Sequence, residues 1–114
     1  MVFKGGLNNA GTISNSGATT LRTNSGDITN SGTIKSSQLT AYTDNLNNSG
    51  LIAATNLIST YLSGSLNNSG LINSNGTTNI NAAHGDINNS GEINGNQINL
   101  TTQNLNNAGK IGGN

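Results

Sequence analysis

The sequence predicts an all-β protein built as a solenoid: a coil of short parallel strands, each stacked on its equivalent in the next winding. Three observations point there. The phrase [Leu/Ile]-x-Asn-[Ser/Ala]-Gly-x-Ile returns six times, and a fixed internal period is the signature of repeat architectures. The period is 18–21 residues, too short for a pair of helices. Apolar residues fall at fixed slots with no i, i+3, i+4, i+7 spacing, while Asn, Gly, Ser and Thr, all poor helix formers, fill the rest.

The repeats start at Leu7, Ile28, Leu46, Leu66, Ile87 and Leu105. These six residues form the first apolar slot. The second slot follows at Ile13, Ile34, Ile52, Ile72, Ile93 and Ile111. A third is assigned to Leu21, Leu39, Leu57, Ile80 and Ile98. Counting from the second slot to the third places three extra residues in each of two loops, within 14–20 and within 73–79, and two more after Leu57. Alternating stretches such as 38–43 and 97–102 read as strands of period two. Three strands and three corners per winding give five to six coils of 18–21 residues, in one domain over 1–114 whose last coil is truncated.

The other repeat positions suit such coils. The glycines at 11, 32, 50, 70, 91 and 109 are expected at corners that need a positive φ. The asparagines at 9, 30, 48, 68, 89 and 107 are expected to stack into a ladder of side-chain amides that also satisfies corner backbone groups. The absence of proline leaves every strand its N–H for a neighbour. A core of Leu and Ile this narrow cannot alone offset the entropy of ordering the chain, so continuous backbone ladders must carry much of the stability.

Composition removes several function classes. Four Lys+Arg balance four Asp+Glu, so the electrostatic footprint of a nucleic-acid binder is missing. No run of about 18 apolar residues is present to span a membrane. Without cysteine there is no disulfide framework and no thiolate chemistry. Residues 1–6 contain no apolar h-region, so no signal peptide is expected in this chain.

The phrases Leu46-Asn47-Asn48-Ser49-Gly50-Leu51-Ile52 and Leu105-Asn106-Asn107-Ala108-Gly109-Lys110-Ile111 resemble the repeats of filamentous haemagglutinin-like exoproteins, a group that includes the stalks of contact-dependent growth inhibition toxins. The resemblance covers residues 7–111. It implies a right-handed parallel β-helix, secretion through an outer-membrane transporter by the two-partner pathway, and a place at the surface of a Gram-negative bacterium. It also implies adhesion and virulence as the setting, with neighbouring coils of a longer parent chain and a host or target-cell receptor as partners. The family's secretion signal, capping domain and toxin tip have no counterpart in these residues.

The search for chemistry returns no catalytic, cofactor or metal site. His84 is the sole histidine and lacks the nucleophile and orienting group that catalysis would need; it reads as a solvated corner residue. Asp27, Asp44, Asp86 and Glu92 read as corner acceptors rather than paired carboxylates. Arg22 is the sole arginine, too little for a polysaccharide-cleaving face. The Thr pairs at 19–20, 77–78 and 101–102 do not recur in every unit, as an ice-binding array would require. Outward apolar residues give the one lead to a partner: Leu51 and Leu71 share a repeat position, and Ile58, Tyr61 and Leu62 cluster after Leu57. The expected function is a non-enzymatic stalk segment. Its alternative is a binding module that uses a flat solenoid face for carbohydrate or host protein. Exposed strand edges at the two ends also predict end-to-end self-association.

Overall fold

The computed structural model describes residues 2–113 and has the architecture the sequence predicts. Met1 and Asn114, the two ends of the domain predicted over 1–114, lie outside the described residues. Fourteen strands and no helix make up the described chain, and every strand pairing is parallel.

One winding shows the plan. The first face is the three-residue strand Leu46–Asn48, and the second and third faces share the strand Leu51–Leu62. Residues 51–54 run along the second face and 57–62 along the third, with a register irregularity where the chain turns between them. The first face repeats in register as Leu7, Ile28, Leu46, Leu66, Ile87 and Leu105. The second repeats as Ile13, Ile34, Ile52, Ile72, Ile93 and Ile111. Both columns point inward, and their members in the middle coils are fully buried.

The asparagine ladder is present and continuous. Asn9, Asn30, Asn48, Asn68 and Asn89 each donate from Nδ2 to the Oδ1 of the asparagine one coil on, at 2.8–2.9 Å. The same amides reach the carbonyl of the glycine two residues ahead. They also reach a strand carbonyl of the next coil, such as Leu71 O from Asn48 at 3.1 Å. A buried amide is tolerable only when its hydrogen-bonding groups are used, and here they close the corner.

The repeat glycines do a different job from the one predicted. Gly26 is the only described residue with a positive φ, at 129°, and it is not one of the six. The reason for glycine is contact between coils. A Cβ on Gly50 would run into the carbonyl oxygen of Gly32 directly beneath it, and Gly32, Gly70, Gly91 and Gly109 meet the same obstacle. Gly11, in the first coil, has nothing within 4 Å of that point.

The third face corrects the sequence reading more deeply. Its supposed single slot is two columns. Thr19, Leu39, Ile58, Thr78 and Ile98 form one; Leu21, Ala41, Thr60, Ile80 and Leu100 form the other. Leu57 lies in register with Gln38 and Thr77 on the outward side, and its neighbour Ile58 is fully buried. A one-residue offset moves a strand's side chains to the opposite face. The insertions move accordingly. Against the second coil, the first has one extra residue within 15–17 and two within 24–27. The third coil has one extra before residue 57 and one within 63–65. All of them enter at the two corners that bound the third face.

Candidate functional surfaces

Outward positions form two open depressions. The first runs along the first face, a groove of about 770 Å³ whose floor includes Asn47, Asn67, Asn88 and Asn106. These amides are stacked, each donating to the one beneath at 2.8–2.9 Å. They therefore spend much of their hydrogen-bonding capacity on one another, which stiffens the surface and leaves less for a ligand.

The second is a trough of about 730 Å³ on the third face and its following corner. Its spine is one outward column in which Arg22, Tyr42, Tyr61 and Asn81 lie in successive coils. The Arg22 guanidinium carbon sits 4.5 Å from the Tyr42 ring centroid. The Tyr42 and Tyr61 rings stack 5.1 Å apart and 13° from parallel. The coil spacing, about 4.8 Å, imposes this distance, and the arginine adds a cation–π contact. Arg22, Tyr42 and Tyr61 are 20 and 19 residues apart, one winding each, and that spacing was the signal the sequence reading passed over.

The trough's rim is polar. The Ser63 hydroxyl donates to Asp44 Oδ1 at 2.8 Å and the Gly26 N–H to Oδ2 at 3.1 Å. The first of these, then the second, holds the exposed Asp44 carboxyl below its usual value. Asp27 Oδ1 accepts from the backbone and side chain of Asn45, and Asp86 Oδ1 from Asn104. These aspartates act as acceptors at the corners. His84 is exposed where the register shifts between Ala82 and Asp86. Among the described residues, no three His, Cys, Asp or Glu side chains group as a metal site.

The predicted partner patch divides. Leu51 and Leu71 are half-buried and stacked in register, and Tyr61 is 46% exposed. Ile58 and Leu62 do not belong to it: they are 0% and 6% exposed and face the core. The extra residue ahead of residue 57 turned them inward. Thr19 and Thr78 are buried as well, so the threonine pairs line no common surface.

No family model, curated protein or solved structure matches this chain.

Proposed function

We propose that this chain is a stiff, non-enzymatic spacer: a shaft segment of a secreted or surface-displayed exoprotein of the filamentous haemagglutinin kind. The observation that carries the reading is the asparagine ladder, which runs from Asn9 to Asn107 without a break. Every coil is tied to the next by side-chain and backbone hydrogen bonds together. The cross-section is invested in holding coils at fixed spacing, which suits the presentation of another domain at a distance.

The experiment places the chain between two folded marker domains and measures their separation by small-angle scattering. Duplicating internal coils should lengthen a narrow distance distribution by about 4.8 Å per coil. A broad distribution growing as the square root of length would mark a flexible linker and overturn the reading. A coding neighbourhood with an outer-membrane transporter would support the two-partner pathway.

Partners follow from the ends of the stack. Leu7 and Ile13 are half-buried at one end, and Leu105 is 49% exposed at the other. Coils of the same build would cover both, supplied by a longer parent chain or by a second copy. Sedimentation should show association that grows with concentration; a clean monomer at high concentration counts against the second copy.

A second reading, a binding module on a solenoid face, is favoured by one feature, the aromatic trough beside Tyr61.

A further inference from the structure

We infer that the free face of Tyr61 is a stacking shelf for one neutral pyranose ring, with Asn81, Ser63 and His84 as its polar rim. This rests on the binding-module reading and is independent of the spacer reading.

The argument begins with which ring faces are occupied. Tyr42 is covered by Arg22 on one side and by Tyr61 on the other. Tyr61 is covered on one side only, and no second ring or cation meets it among the described residues. It remains 46% exposed even so, which places its other face in solvent. The column then continues as Asn81 and Thr101, whose short side chains leave a step above the ring. Asn81 is drawn aside, because its Oδ1 accepts the Ala83 N–H at 3.2 Å.

The chemistry of the step selects the ligand. An aromatic face is electron-rich and attracts groups with a positive edge. A guanidinium or ammonium at the step would be favoured by a carboxylate on the same level. Asp44, the carboxylate lining the trough, instead belongs to the winding of Tyr42, on the far side of Tyr61 from the step, and is tied to Ser63 and Gly26. What surrounds the step is Asn81, Ser63 and His84. A pyranose offers C–H groups on one face for the ring and hydroxyls at its rim for those donors and acceptors.

The test titrates the whole chain with chitotetraose, cellotetraose and maltotetraose, read by the tyrosine ring signals in NMR. Saturable shifts confined to Tyr61 and its rim are expected with at least one of the three. Tyr61→Ala should weaken binding about tenfold, Tyr61→Phe should keep most of it, and Leu71→Ala on another face should leave it unchanged. Thermal melts of each variant separate lost binding from lost fold. Three results would overturn the inference: no saturable shift with any of the sugars, equal affinity in a folded Tyr61→Ala chain, or response only to an arginine-rich peptide. None of these touches the spacer reading, which stands or falls on the scattering distances.

Discussion

The first and third faces of each coil bury comparable apolar side chains, yet they constrain the sequence in opposite ways. On the first face and its corner, the inward asparagine and the glycine positions each have one workable side chain. A Cβ on the corner glycine meets a backbone oxygen, and the inward amide must both donate and accept. On the third face one inward column holds Leu, Ala, Thr and Ile in turn. What these residues share is a methyl group to fill the space, and in the neighbouring inward column Thr78 does the same while its hydroxyl donates to Asn94 O at 2.9 Å. The lesson is that stereochemical demand, not burial, fixes a repeat phrase. The tolerant face is also where insertions enter and where the aromatic column is built.

The strongest break in this contrast is Asn68→Ala. It removes donors to Asn89 Oδ1, Gly70 O and Glu92 O and the acceptor for Asn48, all at a site 2% exposed. Each orphaned buried group costs about 1–3 kcal/mol, so a loss of about 4 kcal/mol is expected from denaturant unfolding. The outward Asn67→Ala, next to it in sequence, should cost about 0.5 kcal/mol.

Next comes Gly50→Ala, which forces two coils apart at the corner and should cost about 3 kcal/mol. Gly11→Ala makes the same chemical change at the same repeat position, where no carbonyl of a preceding coil lies beneath the added Cβ. It should stay within about 0.5 kcal/mol. Equal losses at the two sites would mean that backbone conformation, not contact between coils, selects glycine.

These two pairs explain what the sequence could reveal. The asparagine ladder was legible because its demands allow no substitute, and the first two columns because only Leu and Ile fill them, so residue type repeats with geometry. The glycines were legible as a requirement but not as its cause, because a forbidden Cβ and a positive φ leave the same residue behind. The third face was illegible to a search for Leu and Ile, since Thr19 and Thr78 occupy core positions that polarity alone would put outside. Aligning Leu21 with Leu39 then placed within 14–20 two residues that enter within 24–27, one strand later. The stack of Arg22, Tyr42 and Tyr61 went unseen because an outward column becomes visible only once the third-face register is right.

Thr60→Val sharpens the contrast from the stabilising side. Thr60 sits in an inward third-face column, 2% exposed, and its hydroxyl has no partner among the described residues. Valine keeps the shape and removes the unmet desolvation, so a gain of about 1 kcal/mol, or roughly 4 °C in the thermal midpoint, is expected. A loss of stability would show that the tolerant face is more specific than its composition implies.

The smallest effect lies at the corner that follows the third face. Asp44 is held below the ordinary carboxylate value of 3.8, first by the Ser63 hydroxyl and then by the Gly26 N–H. A carboxyl whose folded value is depressed binds protons more weakly folded than unfolded. Its contribution is therefore complete above the unfolded value and fades as pH falls through the folded one. Wild-type chain should lose a little thermal stability below pH 3.8 that Asp44→Asn does not lose. The difference should be small because the group lies in solvent, where water competes for both hydrogen bonds. A difference as large as that of Asn68→Ala would mean that this corner, like the glycine corner, holds the coils together, and the division between a rigid face and a tolerant one would fail there.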